Sequence, residues 1–139
     1  MQSYESALMA FVAKSKEIGD DWFLYKHNCA CIKIYRAELE ISLFITFNAS
    51  YQLPQLSFTI WNGLKFNDKS YLPLFARTED IAYMTFNEEI GTPVFSVHSC
   101  SIAELMENMG KVENDIFIAS WLSLHTKYLY FDLHMSYFT

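Results

Sequence analysis

Residues 38–47 alternate strictly between apolar side chains and mostly polar ones. The apolar set is Leu39, Ile41, Leu43, Ile45 and Phe47, and the other set contains Glu40, Ser42, Phe44 and Thr46. Because successive side chains of a strand point to opposite faces, this pattern predicts an antiparallel strand with one buried face. Further strand-like runs lie at residues 22–26, 31–37 and 56–61. Short connections join the four runs, so we expect a four-stranded antiparallel β-meander.

Patterns with helical spacing flank this meander on both sides. Apolar residues recur at intervals of three and four over residues 4–18, and Gly19 is a suitable stop. Residues 101–109 and 114–125 predict two C-terminal helices, the second with Asn114 as its N-cap. Between them and the meander we expect a long surface loop at residues 62–80, a short strand or extended segment at residues 81–86 and a short β-run at residues 94–97. The order predicts a single α+β domain over residues 1–139, with helices against one face of the sheet.

The charge and cysteine content limit the partners and the compartment. The chain has 10 basic and 16 acidic residues, a net charge of −6 and no Lys/Arg cluster. A phosphate backbone needs a concentrated positive face, so we expect no nucleic acid partner. Three cysteines are an odd number, which favours free thiols and a reducing compartment. The sequence shows no secretory signal and no apolar run of roughly 20 residues, so it predicts a cytoplasmic protein without stable membrane insertion.

Two kinds of ligand site are disfavoured by spacing. His27, Cys29 and Cys31 alternate along a strand, where successive members would lie about 6.6 Å apart, so they cannot converge on one tetrahedral ion. The four glycines are scattered and form no phosphate-binding loop.

Cys100 follows a short β-run and precedes a helical pattern. At a helix start the unpaired N–H groups and the dipole favour an anion, and the thiolate is the reactive form of cysteine. His98 can supply a further donor or positive charge to the thiol. A buried structural cysteine is the alternative. A cysteine hydrolase is a second alternative, with His125 or His134 as the base.

Three short segments occur in a suggestive order along the chain. They are Tyr51-Gln52-Leu53-Pro54, His98-Ser99-Cys100 and Ser120-Trp121-Leu122-Ser123-Leu124. The first resembles the Tyr-x-x-Pro turn before the fourth strand of ubiquitin-conjugating folds. The second resembles a His-Pro-Cys segment around a thioester cysteine, with Ser99 in place of the proline. The third resembles a Ser-Trp-Leu segment of a C-terminal helix. Together they resemble the E2-like conjugating enzymes of autophagy.

This resemblance implies a ubiquitin-conjugating-enzyme-like fold and a two-step transfer. Cys100 would accept a ubiquitin-like protein, autophagy-related protein twelve, as a thioester from an E1-like activating enzyme. A lysine of the acceptor, autophagy-related protein five, would then receive it. The enzyme itself would need no cofactor, because ATP is consumed at the activation step. The resemblance also implies cytoplasmic work with transient presence at the site of autophagosome assembly.

The resemblance also gives the candidate catalytic residues: Cys100, Tyr51, Asn87 and His98. Tyr51 is a candidate oxyanion donor or lysine-orienting hydroxyl, or else its hydroxyl bridges a turn. Asn87 is a candidate replacement for the asparagine that ordinary ubiquitin-conjugating enzymes place upstream of their cysteine, or else it only forms a turn. His98 either activates the thiol or caps local backbone.

Three alternatives to this function stay open at this point. A sister family transfers a ubiquitin-like protein to phosphatidylethanolamine, although its members are usually longer, with acidic insertions and an N-terminal membrane helix. The chain could also be a cysteine hydrolase, or an inactive binding module in which Cys100 is blocked or buried. For an acceptor, Glu40, Phe44 and Trp61 suggest an acidic and aromatic docking surface, unless these aromatics pack against the 62–80 loop.

Overall fold

The computed structural model describes residues 3–139, and these form an N-terminal helix, an antiparallel sheet and two C-terminal helices. The helices are α1 (Tyr4–Ile18), α2 (Ser99–Met109) and α3 (Asn114–His125). The strands are β1 (Phe23–Lys26), β2 (Cys29–Arg36), β3 (Leu39–Asn48), β4 (Leu53–Trp61), β5 (Ala82–Asn87) and β6 (Thr92–Val97). Short 3₁₀ helices lie at Lys69–Leu74, Glu79–Ile81 and Met135–Phe138.

The expected α+β class and meander are confirmed, and the sheet is larger than predicted. The strand order is β1-β2-β3-β4-β6-β5, with every neighbouring pair antiparallel. The hairpin of β5 and β6 therefore extends the four-stranded meander to six strands. Only two residue pairs, Ser57 with Ser96 and Phe58 with Phe95, join β6 to β4. Alternation in the sequence could indicate a strand at 94–97. It could not show that this strand pairs over two residues with β4, which lies far away in the sequence.

Local capping sets the limits of α1. The side chain of Ser3 accepts the N–H of Ser6 at 3.1 Å and so satisfies one of the free donors at the helix start. Gly19 ends the helix with φ = 77°, a left-handed conformation that suits glycine. Its N–H and that of Asp20 reach back to carbonyls of the last turn, namely Lys16 and Ser15. The predicted stop at Gly19 is confirmed.

The main core lies between the helices and one face of the sheet. Leu39, Ile41, Leu43 and Ile45 of β3 are almost fully buried in one cluster with their counterparts in β4 and side chains of α1 and α3, whereas Phe47 is partly exposed. The C-terminal segment closes this core, because Tyr137 stacks on Phe11 with ring centroids 4.8 Å apart. The Tyr137 hydroxyl donates to the Asp20 carboxylate at 2.5 Å, which anchors the end of the chain beside the end of α1.

A second, smaller core covers part of the opposite face. Cys29, Cys31 and Phe44 are buried there together with Ile90 and Val94 from the β5–β6 hairpin. The prediction that Phe44 belongs to a free docking surface is therefore wrong, since the hairpin covers it.

Trp61 packs against the 62–80 segment, which is the alternative to a docking surface that the sequence left open. It packs against Phe66 of the 62–80 segment, with ring centroids 5.4 Å apart, although 41% of it stays exposed. This segment is not purely a surface loop, because Phe75 is fully buried and contacts Phe58 edge to face at 5.0 Å. The 62–80 segment thus completes the core beside β4.

Candidate active site around Cys100

Cys100 lies in the first turn of α2, whose first residue is Ser99. The sequence predicted a helix start at Ser101, two residues later. His98 has extended backbone angles (φ = −62°, ψ = 113°) and is the N-cap, but its side chain makes no capping hydrogen bond. The thiol is exposed. It therefore lies at the positive end of a helix dipole, where free N–H groups are available to an oxygen anion.

An open pocket of about 270 Å³ surrounds the thiol. Its lining residues are Asn48, Tyr51, Tyr83, His98, Ser99 and Cys100. The fold thus brings together three of the four predicted site residues, Tyr51, His98 and Cys100. Asn48 and Tyr83 also line the pocket, and neither was predicted from the sequence. Asn48 at the end of an alternating strand and the Asn-x-x-Tyr spacing to Tyr51 were the available signal for a turn held by an asparagine side chain.

Tyr51 lies in the turn between β3 and β4 and is 47% exposed. The Asn48 side-chain oxygen accepts the N–H groups of Ser50 at 3.0 Å and Tyr51 at 3.2 Å. The Gln52 side chain donates to the Ala49 carbonyl at 2.7 Å. Asn48 and Gln52 therefore hold this turn through their side chains, and the Tyr51 ring stays half-exposed beside Cys100.

Asn87 lies at the far end of the β5–β6 hairpin and does not line the pocket of Cys100 in the described chain. It pairs with Thr92, whereas Val97, at the other end of β6, leads into the cysteine segment. Five residues of strand separate these two positions, which corresponds to about 17 Å. The Asn87 side chain accepts the N–H of Ile90 at 3.0 Å, which is a turn contact. The catalytic assignment of Asn87 stays a prediction, and its contacts favour the turn role.

The other two cysteines have a different environment from Cys100. Cys29 and Cys31 are buried in the small second core. Burial is the main cause that raises the pKa of Cys29 to about 11 and the pKa of Cys31 to about 12. At neutral pH both stay protonated, so Cys100 is the thiol suited to nucleophilic chemistry.

The histidines named for a cysteine hydrolase lie elsewhere in the described chain. His125 is fully buried in α3, and its Nδ1 atom is 3.1 Å from the Trp121 carbonyl oxygen. Burial lowers the pKa of His125 to about 4. Neither His125 nor His134 lines the pocket of Cys100 in residues 3–139. The fold therefore does not place either of the two candidate hydrolase bases in the pocket of the thiol.

Residues 3–139 contain no group of three or more His, Cys, Asp or Glu side chains that could hold a metal ion. Of the helices in that range, none combines the length and the apolarity that crossing a bilayer requires.

Residues 20–135 match the model of the family described as "Autophagocytosis associated protein, active-site domain". The matched range contains the whole sheet, α2, α3 and every lining residue of the Cys100 pocket. No curated protein matches the chain.

Proposed function

Because the chain belongs to the autophagocytosis associated protein family, and is thereby an E2-like conjugating enzyme of autophagy, we propose the following reaction for it. It accepts the ubiquitin-like autophagy-related protein twelve on Cys100 and transfers it to a lysine of autophagy-related protein five. This is the role of autophagy-related protein ten. The observation that carries the proposal is the exposed thiol in the first turn of α2, in one pocket with Tyr51 and His98.

The first step loads the enzyme. The Cys100 thiolate attacks the carbonyl of the thioester between the activating enzyme and the C-terminal glycine of the ubiquitin-like protein. The new carbon–sulfur bond forms, and the cysteine of the activating enzyme leaves as a thiolate. Free N–H groups in the first turn of α2 are suited to stabilise the tetrahedral oxyanion between these two states. The open pocket leaves room for the two partners to meet at the thiol.

The second step discharges the enzyme. A neutral lysine amine attacks the Cys100 thioester, Cys100 leaves as a thiolate, and the amine loses a proton to water as the isopeptide bond forms. Tyr51, on the rim of the same pocket, is the candidate that orients the amine or donates to the oxyanion. His98 contributes beside the thiol as a positioning or donor group, since it makes no capping bond.

A protein lysine is the proposed acceptor, in preference to phosphatidylethanolamine. The connections within the meander are short, covering residues 27–28, 37–38 and 49–52. The lipid-conjugating sister branch that the chain also resembles usually has long acidic insertions, and residues 20–135 contain no acidic tract of that kind. Supplying both acceptors in one assay tests this choice: product on phosphatidylethanolamine vesicles alone would assign the chain to the sister branch.

The loading step is tested by mixing the chain with the activating enzyme, the ubiquitin-like protein and ATP. We expect an adduct that a thiol reductant removes. Cys100→Ser should convert it into a reductant-resistant oxyester, because a serine oxygen accepts the acyl group but leaves poorly. Cys29→Ala and Cys31→Ala are matched controls and should still give the labile adduct. A labile adduct of undiminished yield on Cys100→Ser would contradict the proposal, and no adduct on the unaltered chain would favour an inactive binding module.

A further inference from the structure

A connected set of hydrogen bonds joins the turn of Tyr51 to the helix start of Cys100. The Asn48 side-chain oxygen holds the turn through the N–H groups of Ser50 and Tyr51. The amide nitrogen of the same side chain donates to Ser99 Oγ at 3.2 Å and to Gln55 Oε1 at 3.0 Å. One side chain therefore contacts both the turn and the residue directly before the nucleophile.

Gln55 completes this set from strand β4. Its side chain is buried, and its Nε2 donates to the Val97 carbonyl at 2.7 Å. Its Oε1 accepts a hydrogen bond from the Ser99 hydroxyl. The backbone pairing of β4 with β6 ends at Ser57 and Ser96, so the side chain of Gln55 bonds to β6 beyond the end of the ladder. Buried side-chain amides are normally hydrogen-bonded, and here both the oxygen and the nitrogen of the Gln55 amide have partners.

The hydrogen bonds of the Ser99 side chain can replace a backbone restraint that a proline at this position would supply. In the resembled segment a proline stands at this position, and a proline ring would fix φ of the first helical residue. A serine there leaves the backbone freer before the cysteine, but the Ser99 hydroxyl is held by Gln55 and Asn48. The three side chains Asn48, Gln55 and Ser99 form what we call the polar clamp.

Building on the proposed function, we propose that the polar clamp positions Cys100 relative to Tyr51 for the attack of the lysine amine. Its members act through other residues, since they hold the two elements that carry the reacting groups. The clamp fixes the helix start from strand β4 and the Tyr51 turn from the end of strand β3. Misplacing a reacting group by about 1 Å can cost on the order of a hundredfold in rate, so loss of one clamp bond should slow discharge measurably.

Ser99 variants separate this role from a general effect on folding. We expect Ser99→Ala to discharge preloaded ubiquitin-like protein roughly tenfold more slowly at saturating acceptor, with the acceptor KM unchanged. Ser99→Thr keeps the hydroxyl and should restore the rate. Ser101→Ala removes the neighbouring hydroxyl on the other side of Cys100 and is the matched control. Normal discharge by Ser99→Ala, or an equal loss in Ser99→Thr and Ser99→Ala, would overturn the proposal.

Ser99→Pro removes the hydroxyl but adds the backbone restraint of a proline ring, so it tests whether restraint of residue 99 is what discharge requires. His98 has extended angles that tolerate a following proline, and proline is favourable at a first helical position. We expect Ser99→Pro to discharge at close to the normal rate. In the Ser99→Pro background, Gln55→Met should slow discharge less than it does in the unaltered chain. An equal slowing by Gln55→Met in both backgrounds would show that the clamp does not act through the restraint on residue 99.

Amide chemical shifts of the free protein test the polar clamp independently of the proposed transfer reaction. In amide-shift spectra of the free protein, Ser99→Ala should shift the Tyr51 amide through Asn48, whereas Ser101→Ala should not. A shift of Tyr51 supports the clamp even if the unaltered chain forms no thioester, in which case only the proposed function fails. An unshifted Tyr51 amide in Ser99→Ala would overturn the clamp whatever the transfer assays give.

Discussion

The ring of Tyr83 packs against the imidazole of His98, with the two centroids 4.8 Å apart and the planes inclined by 38°. The backbone N–H of His98 also donates to the Ile81 carbonyl at 3.0 Å. Tyr83 of strand β5 and Ile81, just before this strand, therefore hold the residue that lies two positions before Cys100. The β5–β6 hairpin, which extends the meander, thus supports the reactive segment in addition to the polar clamp.

Tyr83 should influence transfer through this contact with His98. An aromatic pair contributes about 1 kcal/mol beyond simple burial, which corresponds to roughly fivefold in a rate if it is lost in the transition state. We expect Tyr83→Ala to slow loading and discharge by about that factor, and Tyr83→Phe to recover most of the loss. Single-turnover rates of both steps measure this. Equal rates for Tyr83→Ala and the unaltered chain would limit Tyr83 to lining the pocket.

Tyr51 should separate loading from discharge. If its hydroxyl orients the lysine or donates to the second oxyanion, Tyr51→Phe should load normally and discharge on the order of a hundredfold more slowly. The aromatic ring is kept in this variant. Melting temperatures measured in parallel exclude a loss of folding. A normal discharge rate in Tyr51→Phe would assign the hydroxyl to the turn surface instead of the chemistry.

Replacing Asn87 should lower the stability of the fold and leave discharge normal, which is the reverse of the effect expected for Tyr51→Phe. Asn87→Ala removes the hydrogen bond from the Ile90 N–H, so we expect the free energy of unfolding to fall by about 1 kcal/mol. Discharge, measured well below the melting temperature, should stay normal because Asn87 does not line the pocket of Cys100 in the described chain. Denaturant unfolding and single-turnover discharge together decide the matter. A large loss of rate at unchanged stability would restore the catalytic assignment made from the sequence.

The limits of prediction from this sequence follow from the range of the interactions. Alternation in β3 and helical spacing in α1 are local patterns, and they correctly gave the meander and the N-terminal helix. The burial of Phe44 depends on Ile90 and Val94, which are more than 40 residues away in the chain. Period-two spacing shows which face Phe44 is on but not what covers that face. The docking prediction for Phe44 failed for this reason.

The same reasoning applies to the site. Cys100, His98 and Tyr51 were named from short motifs, and the fold brings all three to one pocket. Gln55 was missed because it is an ordinary polar residue of a strand, and its role, like the bond from Asn48 to Ser99, arises only where the sheet meets the start of α2. Asn87 was named for its position upstream of the cysteine. Its strand runs antiparallel to β6, which takes Asn87 to the opposite end of the hairpin.

Thiol chemistry should distinguish Cys100 from the other cysteines without any partner. Cys29 and Cys31 are buried, and the pKa of each is raised, to about 11 and about 12, chiefly by that burial. We expect one equivalent of iodoacetamide to modify Cys100 in the native protein, with Cys29 and Cys31 reacting only after unfolding. Peptide mass spectrometry locates the adduct, and Cys100→Ala should abolish native labelling. Native labelling of Cys29 or Cys31 at a comparable rate would contradict the packing of the second core.

Mild acid should destabilise the fold through His125. Burial lowers the pKa of His125 from its ordinary 6.5 to about 4 in the folded chain, so the unfolded state takes up a proton first as the pH falls. The stabilising contribution of the neutral ring is therefore complete above about pH 6.5 and is lost as the pH falls towards 4. At about 1.4 kcal/mol per pH unit, the loss over this window reaches about 3 kcal/mol.

Denaturant unfolding of the unaltered chain and of His125→Gln, measured at intervals from pH 7 to pH 4, isolates this contribution. The glutamine cannot titrate, so the unfolding free energy of His125→Gln should depend less steeply on pH than that of the unaltered chain. His134→Gln removes an exposed histidine and is the matched control, which should keep the full pH dependence. Parallel curves for His125→Gln and the unaltered chain would show that His125 is protonated at the same pH in the folded and unfolded states. The ring could then not be buried within the folded chain.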